Sequence, residues 1–183
     1  MKIISFEDYK KIVKNNRKIY FKQPYEFVYD IFVDLGYDKK DENFFKKNAS
    51  NIVETLREAC WNKFVPIEKE FTTKMLCKLI DENYIKNMTS TEAITWYAEE
   101  YAEYIYALTL SNTQSRRSRA GKEFEAIIEL ILTGAGIPFD SQGNIGKKEF
   151  TSKGLGKLVD VVSPGVIQYI INKRDTVLIS AKT

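Results

Sequence analysis

The sequence predicts an α+β or α/β fold in which helices come first and a sheet follows. Up to Gly136, apolar residues recur at helical spacing between capping and turn signals. After Gly136, short β-branched runs alternate with glycine- and proline-containing turns. An apolar fraction of 44% and an aromatic fraction of 13% support a packed core and argue against disorder.

Capping signals define the first helices. Ser5 opens a capping-box pattern, so we expect a helix directly after it. Pro24 begins the second helix and Gly36 ends it. The third helix is predicted over about 41–64, and we expect it to end before Pro66, because proline interrupts helices.

Three further helices are predicted before the sheet. Residues 67–83 form an amphipathic segment. Thr89 and Glu92 make another capping box, ahead of a helix that extends to about residue 110. A separate helix is predicted within 111–136, where the apolar residues again follow the helical period.

The remaining residues predict the sheet. A short strand is expected over 137–139, followed by a polar, glycine-rich loop or hairpin over 140–156. The apolar, β-branched runs KLVDVVS (157–163), GVIQYII (165–171) and DTVLISA (175–181) predict three more strands. An apolar sheet of this kind normally needs helices on both faces.

Composition excludes several kinds of site. The chain has no histidine, which excludes Ser-His-Asp triads and most zinc sites. Its two cysteines, Cys60 and Cys77, are too few for a cysteine-rich metal centre, and both are predicted to be buried, reduced thiols. No secretory signal and no run near the ~18 apolar residues of a membrane span is present, so we expect a cytoplasmic protein.

An acidic and basic constellation accompanies the predicted sheet. Asp160 lies within an apolar run, where a carboxylate is costly unless it is paired or binds a metal. Lys182 is near the end of a neighbouring strand, and Glu125 is on the preceding helix. Two carboxylates and one ammonium suit metal-dependent phosphodiester hydrolysis. On spacing alone, a strand-end aspartate in a turn and a lysine that extends to water is the favoured interpretation.

Three motifs occur in the order SRRSRAGKEFE, KLVDVVSPG and LISAKT. With them, residues 115–183 resemble the SsoII- and EcoRII-like type II restriction endonucleases of the PD-(D/E)XK superfamily, which read CCGG-containing or CCNGG-type sites. The resemblance implies a mixed sheet flanked by helices. It also implies a helical part over 1–111 for DNA contact and dimerisation, and a nuclease core over 112–183.

The resemblance assigns roles to individual residues. Asp160 matches the metal-binding aspartate, although Val159 stands where the superfamily's name has proline. Lys182 matches the catalytic lysine of a Ser-x-Lys variant, and Glu125 matches the helix glutamate of the metal site. The implied metal is Mg²⁺, with the backbone carbonyl of Ala181 as a further ligand.

The resemblance implies a bacterial, cytoplasmic homodimer that cleaves double-stranded DNA at a CCNGG-type palindrome and leaves 5′-phosphates. In the family, the lysine strand runs into a helix with base-reading arginines, and a second carboxylate follows. Neither is present in this sequence, so we expect the fold to continue beyond Thr183 and this stretch alone to cleave poorly.

DNA contacts are predicted at two places. A basic run lies at the predicted start of the helix in 111–136, where cations oppose the macrodipole and gain nothing locally, so phosphate binding is favoured over a solvated face. Its members are Arg116, Arg117, Arg119 and Lys122. Further lysines follow in the glycine-rich loop, where DNA contact and solubility explain them equally well. They are Lys147, Lys148, Lys153 and Lys157.

Arg57 and Trp61 are one helical turn apart and share a stripe with Glu54 and Glu58, which is not typical of a core. Members of the resembled group extrude central bases from the duplex. A flipped base requires a flat partner, so Trp61 and Arg57 are predicted to stack on it.

Two other functions fit the same residues. A non-catalytic DNA-binding regulator would retain the basic run, bind DNA without metal and tolerate loss of Asp160. A repair or junction nuclease on the same core would prefer branched DNA to a short duplex sequence.

Overall fold

The computed structural model describes residues 4–156 and 158–181. In this part of the chain the α-helices are α1 Phe6–Tyr20, α2 Pro24–Asp34, α3 Glu42–Cys77, α4 Glu82–Ile85, α5 Ser90–Glu100, α6 Ala102–Gly134, α7 Gln142–Ile145, α8 Lys147–Ser152 and α9 Val166–Ile171. The strands are β1 Asp140–Ser141, β2 Val161–Ser163 and β3 Val177–Ile179. Short 3₁₀ turns occupy Tyr37–Lys39 and Lys173–Asp175.

The predicted capping signals are confirmed. The Ser5 hydroxyl accepts the Asp8 amide at 3.2 Å at the start of α1. The side chains of Thr89 and Glu92 form a reciprocal capping box before α5. Gly36 follows α2 with a φ of +71°, a conformation that glycine adopts without steric cost.

The predicted break before Pro66 is wrong, because α3 passes through it without interruption. A proline inside a helix loses one backbone hydrogen bond and crowds the preceding turn. Here the apolar stripe continues on both sides of Pro66, with Phe64, Phe71 and Met75 all buried. The burial of this stripe outweighs the cost of a single proline on the exposed side of the helix.

The predicted helix boundary near residue 111 is also wrong. The chain breaks instead at Tyr101, and α6 is continuous from Ala102 to Gly134. The polar run after Leu110 is satisfied within the helix: Thr113 donates to the Thr109 carbonyl at 3.0 Å. The basic run therefore lies in the middle of a helix and not at its N-terminus.

The described strands form an antiparallel sheet in the order β1-β2-β3. In its register Val161 faces Ile179 and Val162 faces Leu178. The strand predicted over 137–139 begins later, at β1. The predicted loop over 140–156 contains the helices α7 and α8, with Phe150 buried beneath α8.

The strand predicted over 165–171 is helix α9. Val166 and Tyr169 are buried one turn apart, so the run has a helical apolar face that its β-branched composition obscures. The Asp140 carboxylate accepts the Val166 amide at 2.7 Å in the first turn of α9. This hydrogen bond, between residues 26 positions apart, stabilises the first turn of a helix in a run whose composition predicts a strand.

The chain divides into two compact units. The first comprises the residues up to Lys22 together with Asn62–Ser118, and the second comprises Gln23–Trp61 together with the residues from Arg119 onward. The core of the first unit is formed by Tyr9, Val13, Phe71, Met75, Leu79, Tyr101, Tyr104 and Leu108. Beside the sheet of the second unit, the core residues are Phe150, Leu155, Val162, Val166 and Tyr169.

The two cysteines differ in their exposure. Cys60 is buried as predicted, whereas Cys77 is exposed because it ends α3, so its predicted burial is wrong. No helix in residues 4–156 and 158–181 is long and apolar enough to cross a membrane.

Candidate metal and DNA-binding site

Asp160 lies at the entry to β2 and is held there by the end of β3. Its amide donates to the Ile179 carbonyl at 2.9 Å. Its side-chain Oδ2 accepts the Ala181 amide at 2.7 Å, which fixes the orientation of the carboxylate. The structure therefore brings together Asp160 and Ala181, as the predicted site requires. The next residue, Lys182, lies outside the described residues.

Glu125 projects from α6 toward the same region and is partly buried. Burial raises the pKa of the Glu125 carboxyl, and the negative charges of Asp160 and Glu129 raise it further. Lys122 and Lys147 act in the opposite direction. The negative charges of Asp160 and Glu125 thus repel each other, and a bound cation would offset that repulsion.

The carboxylates of this region bear on which metal ion the site could hold. In the part of the chain that the structure describes, no group of three or more histidine, cysteine, aspartate or glutamate side chains could hold a metal. Two partly buried carboxylates that repel each other still fit Mg²⁺, which is bound through one or two carboxylates and keeps several waters. A site in which protein groups supply every ligand does not fit this donor set.

Helix α7 connects the two carboxylate-bearing elements, and sequence reasoning missed it. The Gln142 amide donates to the Asp160 carbonyl at 2.9 Å. An ideal Cβ at Gly143 would lie 3.0 Å from Glu129 Oε1, so α7 also packs against α6. The sequence feature that indicates α7 is the capping box between Ser141 and Asn144. The glycine-rich composition of this segment instead favours a loop.

The predicted basic run divides into two kinds of side chain. Arg116 Nε donates to Glu68 Oε2 at 2.7 Å. Arg119 is only 8% exposed and lies 2.5 Å from Glu123 Oε1. Each of these two arginines therefore already has a carboxylate partner.

The other two members of the run, Arg117 and Lys122, are exposed on α6. No salt bridge joins either of them to a carboxylate within the described ranges. Both are available to a polyanion without first breaking an ion pair.

Arg57 and Trp61 are both exposed on α3, and Trp61 retains 53% of its accessible surface. The guanidinium carbon of Arg57 lies 5.4 Å from the ring centroid of Phe124. Arg57 therefore contacts α6 at the residue before Glu125, within the second unit.

Among the lysines of 140–157, Lys147 and Lys148 are exposed, and Lys153 pairs with Glu149 at 3.4 Å. Lys157 lies outside the described residues.

No family model matches the chain. It is 54% identical over all 183 residues to the type II restriction enzyme SsoII of Shigella sonnei, and it covers 60% of that enzyme. Two solved structures of metal-depleted Ecl18kI, one with uncleaved DNA and one with uncleaved, modified DNA, each match with a TM-score of 0.91 at 52% identity over 98% of this chain. This chain covers 59% of the Ecl18kI chain.

The resemblance predicted from the three motifs is confirmed over the whole chain. The fold is confirmed as a mixed helical one with a small antiparallel sheet that matches a restriction endonuclease structure.

Proposed function

We propose that this chain carries the cleavage site of a type II restriction endonuclease that hydrolyses double-stranded DNA at a CCNGG-type site. The observation that carries the proposal is the Asp160 carboxylate, bonded to the Ala181 amide and electrostatically coupled to Glu125. This pair occurs in a chain 54% identical to SsoII, although the chain spans only 60% of that relative.

In this proposal the sheet and α6 form a PD-(D/E)XK core. Asp160, Glu125 and the Ala181 carbonyl would hold Mg²⁺. When bound there, Mg²⁺ would supply Lewis-acid chemistry, activating water and offsetting negative charge on the phosphate. The Ala181 amide keeps the Asp160 carboxylate in one orientation, and Lys182 is proposed to orient the attacking water and to stabilise the developing charge.

Arg117 and Lys122 are proposed to bind DNA phosphates, because both are exposed and each lacks a salt bridge within the described ranges. Phosphate contacts for Arg116 and Arg119 stay predictions, since each would compete with an existing carboxylate.

Trp61 is proposed to stack on an extruded central base, with Arg57 beside it. The exposed indole supports this role. With 2-aminopurine at the central position of bound DNA, we expect the fluorescence to change when Trp61 is replaced by alanine. Identical spectra for the two proteins would refute stacking by Trp61.

The whole protein is proposed to act as a homodimer, because two-fold protein symmetry matches a palindromic site. The division into a DNA-contact and dimerisation part over 1–111 and a nuclease part over 112–183 belongs to the same proposal, as does action in the bacterial cytoplasm.

The decisive experiment is plasmid cleavage by the full-length protein in Mg²⁺, with the cut ends sequenced. We expect discrete fragments with common ends at CCNGG-type sites. Asp160→Ala and Lys182→Ala should abolish them, whereas Asp38→Asn, a change at an exposed aspartate outside the site, should not.

Two other outcomes would refute this function. An intact plasmid together with a DNA gel shift that is unaffected by metal and by Asp160→Ala would identify a DNA-binding regulator. Preferential cutting of branched DNA would identify a repair or junction nuclease.

A further inference from the structure

Lys147 is the first residue of α8. Lys153, just after the end of the same helix, pairs with Glu149 at 3.4 Å. Within residues 4–156 and 158–181, no carboxylate lies within salt-bridge distance of the Lys147 ammonium. Its side chain is exposed and available to bind an anion.

The backbone before Lys147 is attached to both halves of the carboxylate site. The first residue of α7, Gln142, bonds to the Asp160 carbonyl at 2.9 Å. Its second residue, Gly143, lies against Glu129, one helical turn after Glu125 on the same face of α6. Helix α8 begins at Lys147, one residue beyond the end of α7.

Helix α8 is anchored, so the position of Lys147 is defined. Phe150, one turn later, is fully buried and packs with Val162 of β2. The Lys147 carbonyl accepts the Thr151 hydroxyl at 2.8 Å. From this position the positive charge of Lys147 attracts the Glu125 carboxylate.

We propose that Lys147 binds the phosphate at which DNA is cleaved, as a cation that acts with the Asp160 and Glu125 carboxylates. This role rests on the proposed function. A phosphodiester that approaches Asp160 and Glu125 is repelled by both carboxylates. A cation without an ion-pair partner at the same place offsets that repulsion and stabilises the charge that develops on the phosphate during hydrolysis.

The test compares Lys147→Gln with two matched variants. Lys147→Arg keeps the positive charge, and Lys148→Gln removes a charge from the next, also exposed residue. Single-turnover cleavage is measured in Mg²⁺, and DNA affinity is measured without metal over a salt series.

We expect Lys147→Gln to lower the cleavage rate constant by about ten- to a hundredfold, as loss of one charge-stabilising group does. It should also reduce the slope of log K against log salt by about 1. Lys147→Arg should restore most of the rate, and Lys148→Gln should cleave at the wild-type rate.

A neutral methylphosphonate at the cut position, mapped from the wild-type products, locates the contact. It should weaken binding by the wild-type protein and cause little further loss in Lys147→Gln, because the two changes remove the same interaction. Equal losses in both proteins would overturn the inference. So would wild-type cleavage rates in Lys147→Gln, or a rate loss that accompanies a lower unfolding temperature and that arginine does not restore. If the wild type cleaves no DNA, the proposed function fails, and this inference fails with it.

Discussion

At the residue scale, Glu125 shows how the proposed cleavage site acts against stability. Burial and Asp160 raise the pKa of Glu125 above its value in the unfolded chain. The folded protein therefore holds a proton at Glu125 more readily than the unfolded chain does. The resulting stabilisation is complete below the unfolded pKa and is lost as the pH rises through the folded pKa. At neutral pH the ionised carboxylate destabilises the metal-free fold.

We therefore expect Glu125→Gln to raise the unfolding temperature at pH 7–8 in EDTA. The gain should disappear as the pH falls below about 4.3, the usual glutamate pKa, because both proteins are then neutral at this position. Thermal unfolding over a pH series measures it. Glu103→Gln, at an exposed position of the same helix, is the control. Added Mg²⁺ should stabilise the wild type more than Glu125→Gln. A lower unfolding temperature for Glu125→Gln at pH 8 would contradict the prediction.

Glu68 is the corresponding buried carboxylate of the first unit. It is 3% exposed, accepts from Arg116 and is attracted by the largely buried guanidinium of Arg17. Its removal leaves the largely buried guanidinium of Arg17 without this counter-charge. We expect Glu68→Ala to lower the free energy of unfolding by about 3 kcal/mol, as loss of one partner of a buried ion pair does.

Glu70 on the same helix provides the comparison, because it is exposed and pairs only with exposed groups. Urea denaturation should show little change for Glu70→Ala. Equal losses of stability in the two variants would show that burial of Glu68 has no energetic consequence.

At the element scale, α3 retains a proline that its packing tolerates. Pro66 is exposed, and the buried residues on either side keep the helix continuous. Replacement with alanine restores an amide donor and removes the clash of the ring with the preceding turn. We expect Pro66→Ala to stabilise the protein by about 1–3 kcal/mol, up to the propensity difference between the two residues. A loss of stability in chemical denaturation would contradict this prediction.

Helix α6 shows how continuity of an element changes the interpretation of its charges. The basic run was predicted to begin a helix, where its cations would have no favourable local role. Within a continuous helix, Arg119 instead reaches Glu123 one turn later and lies 4.5 Å from the Phe27 ring centroid. Cations with a carboxylate partner and cations proposed to bind DNA therefore alternate along one basic run.

At the scale of the whole molecule, the proposed dimer makes a prediction about strand cleavage. If each protomer cuts one strand, a heterodimer of wild type with Asp160→Ala has one working site. Mixed assemblies should then nick a plasmid carrying one site, whereas wild-type homodimers linearise it. Agarose electrophoresis of early time points separates the two products. Linear product without nicked circles from a purified heterodimer would contradict one site per protomer.

The sequence by itself determined the kind of protein and most of its local structure. The Ser5 and Thr89 caps and the boundaries of α2 depend on neighbouring residues, so local rules predicted them correctly. Asp160 could be selected because a carboxylate among apolar residues is costly wherever the chain folds. The three motifs predicted the resemblance, which is a property of order and residue type.

Only the tertiary structure decided the features that depend on residues distant in sequence. Burial of apolar residues on both sides of Pro66 keeps α3 continuous. The Asp140 carboxylate accepts a hydrogen bond from the first turn of α9, a helix whose β-branched residues predict a strand. The pairing of Arg116 with Glu68 depends on side chains 48 residues apart. The electrostatic effect of Asp160 and Lys147 on Glu125 also depends on residues distant in sequence, because it requires α6, α7 and β2 to pack together. Local propensity amounts to fractions of a kcal/mol per residue, and packing and charge pairing outweigh it wherever they conflict.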